Sequence, residues 1–246
     1  MGEVVLSTTP LHYAADGVTF RGQLACPEGQ AKVPGVLIFA EAPGIGPHVI
    51  RRAEALAQMN YVALAADVYG DGVLFDDPTT MRTTVDLLKS NPERLRERLQ
   101  ASLQALAQVP QVDSDRIAVI GYCFGGWCGL ELARAGAPLR GVGVFHGTLE
   151  STQVNTAGEI RGKVLICTGA SDPLVPFEQI KTFSEEMSTA GIDWQVHLYG
   201  GTCHGFTSPE AGSNPRPGFG YSASADRRAW AALRLFLSEI FDMEEG

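Results

Sequence analysis

The sequence predicts an α/β protein built on one mostly parallel, doubly wound sheet flanked by helices. Short, continuously apolar runs alternate along the chain with longer segments of helical periodicity. Runs without polar alternation are typical of parallel strands that helices cover on both faces. With 246 residues, 45% of them hydrophobic, the chain has enough apolar material for such a core. We expect residues 1–246 to form a single domain.

The individual elements follow from these patterns. Six apolar runs are predicted as buried strands: Val36–Ala40, Val62–Ala66, Ile117–Ile120, Val142–Phe145, Val164–Cys167 and Trp194–Tyr199. Five segments are predicted as helices: residues 50–59, 94–108, 124–135, 178–190 and 225–241. Val18–Ala25 alternates polar and apolar residues and is predicted as an antiparallel edge strand. The irregular segments Tyr69–Pro78 and Thr207–Ser224 follow predicted strands, so we expect them at the carboxyl edge of the sheet, where ligands bind.

Charge and composition exclude several classes of function. The formal net charge of −9 argues against a nucleic-acid partner, because phosphate binding needs clustered Lys and Arg. No apolar stretch approaches the roughly 20 residues of a membrane span, and the first residues do not resemble a signal peptide. Five cysteines, an odd number, sit mostly in apolar runs, which favours reduced thiols and a cytoplasmic location.

A strand-to-helix turn carries the candidate nucleophile. The predicted strand Ile117–Ile120 leads into Gly121-Tyr-Cys123-Phe-Gly125, and a predicted helix begins at once. This pattern is typical of a nucleophile elbow, with Cys in place of the usual Ser. The helix N-terminus favours the Cys123 thiolate, and the backbone N–H of Phe124 is the first candidate oxyanion donor. A Gly-rich turn that merely holds a small buried Cys is the alternative.

An acid and a base follow in the order that an α/β-hydrolase fold uses, so we predict that fold. Asp172 lies in a proline-bounded loop after the strand Val164–Cys167, and His204 follows the strand Trp194–Tyr199 beside glycines. Taken alone, Asp172 also suits a plain Asp-Pro turn. His146 ranks second as the base because it precedes any candidate acid. No Cys or His spacing supports a zinc site, and we expect neither a metal nor a cofactor.

A second arm of the site is predicted after the strand Val36–Ala40. In this fold the following loop supplies another oxyanion N–H, here Ala42. Glu41 at the same point would lie close to the thiol; an exposed loop glutamate is the alternative.

Several of these motifs together make the chain similar to the dienelactone hydrolase family. They are Glu41, Asp67-Val-Tyr-Gly70, Asp115–Gly126 with its G-Y-C-F-G-G elbow, Asp172-Pro-x-Val-Pro176 and His204-Gly-Phe206. The resemblance covers nearly the whole chain and implies a Cys123–His204–Asp172 triad. It also implies that Glu41 holds the resting thiol and accepts its proton when substrate arrives.

One departure from the family concerns substrate charge. Family members that hydrolyse dienelactone hold its carboxylate with arginines, one of them shortly after the catalytic His. Here Phe206–Glu210 follows His204 without an Arg, and Arg82 is the candidate for the other position. The predicted activity is hydrolysis of small-molecule esters or lactones through an acyl-enzyme, in a monomer or homodimer without membrane or nucleic-acid partners. Three alternatives stay open: activated phosphotriesters or aryl esters as substrates, a non-enzymatic binding protein, and a redox thiol protein in which Cys128 or Cys203 resolves oxidised Cys123.

Overall fold

The computed structural model describes residues 6–151, 157–212 and 216–242. Within these residues eight strands form a mostly parallel sheet, accompanied by six α-helices. The mostly parallel α/β class predicted from the sequence is therefore confirmed. By internal contacts the chain divides into two compact units, Met1–Val119 and Ile120–Gly246. In the same described ranges, no helix has the length and apolar character that a membrane span requires.

The first unit combines an N-terminal hairpin with parallel strands. Its strands are β1 (Leu6–Ala15), β2 (Val18–Pro27), β3 (Val33–Phe39) and β4 (Val62–Ala66), and its helices are α1 (Pro47–Gln58), α2 (Pro78–Lys89) and α3 (Pro92–Ala107). β1 and β2 are antiparallel, β2 pairs antiparallel with β4, and β4 pairs parallel with β3. The order of these strands is therefore β1-β2-β4-β3.

The hairpin corrects one prediction. Val18–Ala25 is antiparallel, as expected, but it belongs to β2, which is internal because the unpredicted β1 takes the edge. Asp16 and Gly17 connect the two strands with φ of 53° and 69°. Two consecutive residues of positive φ form the tight turn whose twist suits a hairpin. That Asp-Gly pair was the available signal for β1.

Helix α2 is also absent from the sequence prediction, and Pro78, predicted as loop, is its first residue. The Asp77 side chain accepts hydrogen bonds from the N–H groups of Thr79 and Thr80. An N-cap Asp followed by Pro at the first helical position is a typical helix start. The Thr-rich helix itself has little propensity to signal it.

The second unit carries the predicted catalytic residues. Strand β5 (Val112–Tyr122) begins in the first unit and ends in the second, which continues with α4 (Phe124–Arg134), β6 (Gly141–Phe145), β7 (Lys163–Gly169), α5 (Phe177–Thr189), β8 (Trp194–Tyr199) and α6 (Ala223–Ile240). β6 pairs parallel with β7, and β7 with β8. Of the predicted irregular segment Thr207–Ser224, residues 213–215 lie outside the described residues, and a 3₁₀ helix occupies Pro209–Gly212.

Candidate active site

The nucleophile elbow has the geometry that its glycines predict. Cys123 joins the end of β5 to the start of α4 with φ 54° and ψ −117°, a conformation that costs energy for any residue with a Cβ. A Cβ on Gly121 would lie 2.0 Å from the Gly125 carbonyl oxygen, and one on Gly126 would lie 2.8 Å from Val144 Cγ1. Only glycine fits at positions 121 and 126, and the backbone strain of the turn lies at Cys123, the candidate nucleophile.

Cys123 stands at the N-terminus of helix α4. Cys123 is its N-cap and is half-buried. Its own N–H donates to the Phe145 carbonyl at 3.0 Å, which ties the elbow to β6. Phe124 is the first helical residue, so its N–H points out of the helix N-terminus; its role as an oxyanion donor stays a prediction.

Asp172 and His204 form the expected acid–base pair. His204 Nδ1 lies 2.8 Å from Asp172 Oδ2, and both side chains are buried. The second oxygen of Asp172 accepts the Leu174 N–H at 2.8 Å, so the carboxylate is held at both ends. These contacts orient the imidazole and place its proton-exchanging atom, Nε2, away from the carboxylate.

Close packing between two loops brings the acid and the base together. The Ser171 N–H donates to the Thr202 carbonyl at 2.9 Å, joining the loop after β7 to the loop after β8. A Cβ on Gly169 would lie 2.2 Å from that same carbonyl oxygen. The glycine at the end of β7 is thus required for Asp172 to reach His204.

The electrostatic environment of His204 favours the imidazolium. Burial alone lowers the pKa of His204, but the Cys123 sulfur and the Asp172 carboxylate outweigh it and raise the pKa to about 10. His204 Nε2 is buried, and no described residue lies in hydrogen-bonding geometry with it. The Cys123 sulfur is nevertheless close enough to raise the pKa of the ring. A protonated His204 at this position can serve as a proton donor beside the sulfur.

His146, the second-ranked base, is a buried neighbour of His204. Its ring centroid lies 5.1 Å from that of His204, and its Nε2 is 2.8 Å from Thr207 Oγ1. The residue is fully buried at φ 41°. It packs edge-to-face against the His204 ring, and Asp172 pairs with His204 instead.

Glu41 and Ala42 lie in the first unit, each with a partner that the sequence analysis missed. Glu41 Oε1 is 2.5 Å from His48 Nδ1, and Arg52 Nε donates to His48 Nε2 at 3.2 Å. The Ala42 carbonyl accepts a hydrogen bond from the Tyr69 hydroxyl at 2.8 Å. His48 lies seven residues after Glu41, in the first turn of α1, and no sequence motif marks it. The roles of Glu41 and Ala42 toward Cys123 stay predictions.

Arg82, the candidate substrate ligand, is a surface residue. Arg82 lies on α2 with 84% of its side chain exposed and Asp86 at 3.9 Å, and its role as a substrate ligand stays a prediction.

None of the five cysteines forms a disulfide, and the four besides Cys123 are buried or half-buried: Cys26, Cys128, Cys167 and Cys203. Burial raises the pKa of Cys167 to about 12, which makes it a poor nucleophile.

Two clefts in the first unit differ in what they contain. One of about 610 Å³ lies along β1 and α3 and contains none of the predicted site residues. The other, about 10 Å³ and just large enough for one water, is bounded in part by Glu41, Asp67 and Tyr69. Volume alone therefore does not locate the chemistry.

Comparison with known proteins identifies the family and the fold. Residues 20–241 match the dienelactone hydrolase family. A solved structure named m3DLH is 40% identical with a TM-score of 0.93, covering 98% of this chain and 100% of its own. A dienelactone hydrolase-like promiscuous phosphotriesterase from metagenomic libraries is 39% identical with a TM-score of 0.93, covering 96% of this chain and 99% of its own. A putative carboxymethylenebutenolidase of Synechocystis is 24% identical over 96% of this chain and 99% of its own. These matches confirm the α/β-hydrolase fold predicted from the elbow.

Proposed function

Because the chain belongs to the dienelactone hydrolase family and is a hydrolase of ester or lactone bonds, we propose that Cys123 is its nucleophile and that it works through a covalent acyl-enzyme. The observation that carries this proposal is the local geometry of Cys123. A cysteine held at φ 54° on a helix N-terminus, acting electrostatically on an Asp-paired histidine, combines the parts of an activated thiol.

Acylation begins from the thiolate–imidazolium pair. The Cys123 sulfur attacks the ester carbonyl carbon, and the carbonyl electrons move onto oxygen. The Phe124 N–H stabilises that oxyanion, with Ala42 as the proposed second donor. When the tetrahedral intermediate collapses, the carbon–oxygen bond breaks, and His204 gives its Nε2 proton to the leaving alkoxide. The products of this step are an alcohol and a thioester on Cys123.

Deacylation reverses the roles. Neutral His204 takes a proton from water through Nε2, and the resulting hydroxide attacks the thioester carbon. The carbon–sulfur bond breaks, the acid leaves, and the thiolate and imidazolium are restored. Asp172 holds Nδ1 throughout, so the same nitrogen serves as donor and acceptor.

A second candidate activity is hydrolysis of activated phosphotriesters or aryl esters. It is favoured by the 39% identical relative, which is itself described as a promiscuous phosphotriesterase. In this reaction the same thiolate would attack phosphorus, and a good leaving group would need no proton from His204.

The decisive experiment traps the intermediate on Cys123. After rapid mixing with p-nitrophenyl acetate and an acid quench, mass spectrometry of peptides should find an acetyl group on Cys123. Cys123→Ala should lose the adduct and several orders of magnitude in kcat while staying folded, and His204→Ala should lower kcat comparably. Cys203→Ala is the matched control, since Cys203 is also half-buried and adjoins His204 in sequence. Near-normal turnover by folded Cys123→Ala would overturn the assignment.

A further inference from the structure

His204 stands outside the regular elements, so the sheet does not determine its position. Strand β8 ends at Tyr199 and helix α6 begins only at Ala223. A catalytic imidazole must nevertheless be held closely, because a misplacement of about 1 Å can cost about 100-fold in rate. The described part of the long segment before α6 contains a short turn, Arg216–Phe219, that contacts His204.

The turn has a defined geometry of its own. The Phe219 N–H donates to the Arg216 carbonyl at 3.0 Å and closes four residues. Pro217 occupies the second position, and Gly218 occupies the third with φ 79°. Proline followed by a positive-φ glycine is the sequence that a type II turn requires. The turn is therefore stiff enough to hold another residue in place.

Backbone hydrogen bonds join His204 to the turn and to the residue that follows it. The His204 N–H donates to the Gly218 carbonyl at 2.9 Å, and the Gly220 N–H donates to the His204 carbonyl at 3.0 Å. The turn also lies against the loop of the acid: a Cβ on Gly218 would fall 2.7 Å from Pro173 Cγ. One short segment thus contacts both the base and the residue next to Asp172.

The side chain of Phe219 contacts the His204 imidazole directly. The Phe219 ring centroid lies 5.0 Å from that of His204, with the ring planes at 63°. The Arg216 guanidinium covers the Phe219 ring, with Cζ 3.8 Å from its centroid. A cation over a ring face and an edge contact to a neighbouring ring are both favourable arrangements. Phe219 is therefore held between the exposed Arg216 and the catalytic ring.

We propose that the Arg216–Phe219 turn positions His204 for proton transfer, with Phe219 as the positioning residue for the imidazole. This inference rests on the proposed function, in which His204 protonates the leaving alkoxide. Substrates differ in how much they need that proton: an alkoxide needs it, whereas p-nitrophenolate leaves as a stable anion. Loss of positioning should therefore slow acylation by an alkyl ester more than acylation by an aryl ester.

The test compares two variants of the turn with two controls. Gly218→Ala forces a Cβ into Pro173 at a positive φ, and Phe219→Leu removes the ring but keeps an apolar side chain. Gly191→Ala is the matched backbone control, because Gly191 also has a positive φ (69°), lies after α5 away from the turn, and has no atom within 4 Å of the added Cβ. Phe219→Tyr keeps an aromatic ring at this position and should retain the wild-type acylation rates. Single-turnover acylation is measured with the ethyl and p-nitrophenyl esters of one acid, together with the Tm.

Gly218→Ala and Phe219→Leu should slow acylation by the ethyl ester about 10- to 100-fold, with acylation by the p-nitrophenyl ester nearly unchanged. Equal losses on both esters, or a folded Phe219→Leu with wild-type rates on the ethyl ester, would overturn the proposal. If Gly218→Ala does not fold, Phe219→Leu decides the question. Failure of the proposed function would show differently, as turnover by Cys123→Ala, which leaves the turn intact.

Discussion

His48 donates its Nδ1 hydrogen to Glu41, with 2.5 Å between the two atoms. The tautomer follows from Arg52, whose Nε–H donates to His48 Nε2 at 3.2 Å, so that nitrogen must accept and the ring proton sits on Nδ1. His48 is buried, and the Glu41 side chain is 21% exposed. Glu41 therefore has a fixed hydrogen-bond donor within its own unit, which any role toward the thiol has to accommodate.

The first prediction concerns the proposed coupling of Glu41 to Cys123. A carboxylate beside the sulfur would disfavour the thiolate, so Glu41→Gln should make the free enzyme react with iodoacetamide at lower pH. The measurement is the alkylation rate across pH. Glu54→Gln, which changes a carboxylate on α1, is the control and should leave the profile in place. An unchanged profile in Glu41→Gln would show that the two groups are not coupled.

The second prediction concerns the alkaline limit of activity. The pKa of His204, raised to about 10, keeps the imidazolium available as the proton donor at neutral pH. Asp172 contributes to that raised value, so Asp172→Asn should lower it and move the alkaline fall of kcat/KM to lower pH. The pH–rate profile for an alkyl ester measures the shift. Asp226→Asn, on α6, is the control and should leave the alkaline fall of kcat/KM at its wild-type pH. An alkaline fall at the wild-type pH in Asp172→Asn would argue that His204 is not the titrating group.

The third prediction concerns substrate charge. Glu210 accepts a hydrogen bond from the Ser208 hydroxyl at 3.1 Å, and no arginine lies between Phe206 and Glu210. Neutral aryl esters should therefore have a higher kcat/KM than matched carboxylated lactones. If the carboxylated lactone proves better by a wide margin, this expectation is wrong. Arg82→Gln and Arg216→Gln would then show which cation binds the carboxylate.

The fourth prediction concerns the elbow as a structural element. Gly121→Ala places a Cβ 2.0 Å from the Gly125 carbonyl oxygen, and neither backbone can move without displacing the nucleophile. The free energy of unfolding should fall by about 3 kcal/mol or more. Urea denaturation measures the loss. The same change at Gly158, where a Cβ meets no atom within 4 Å, should cost less than about 0.5 kcal/mol. Comparable losses at the two sites would contradict this account of the elbow.

Local chemistry explains why the sequence alone predicts so much of this site. Gly121, Cys123 and Gly125 are adjacent in the chain, and the sterics of one turn dictate their spacing. Five of the six predicted strands were likewise visible as apolar runs, because strands covered on both faces carry few polar residues. Trp194–Tyr199, predicted as a sixth buried strand, is instead the edge strand β8, in which only Tyr199 is buried; its Gln195 and His197 fit that edge position. The missed elements, β1 and α2, carry polar and Thr-rich sequences whose only signals are Asp16-Gly17 and Asp77-Pro78.

The sequence predicts the candidate nucleophile, acid and base, because each lies in a short segment that follows a predicted strand. Their neighbours became apparent only in the folded chain. Asp172 and His204 are 32 residues apart, and their contact depends on packing between two loops. Phe219 against His204 and His48 against Glu41 involve side chains that no motif marks. Such pairs form where separate loops and elements pack against one another, and so they have no fixed spacing to recognise in the sequence.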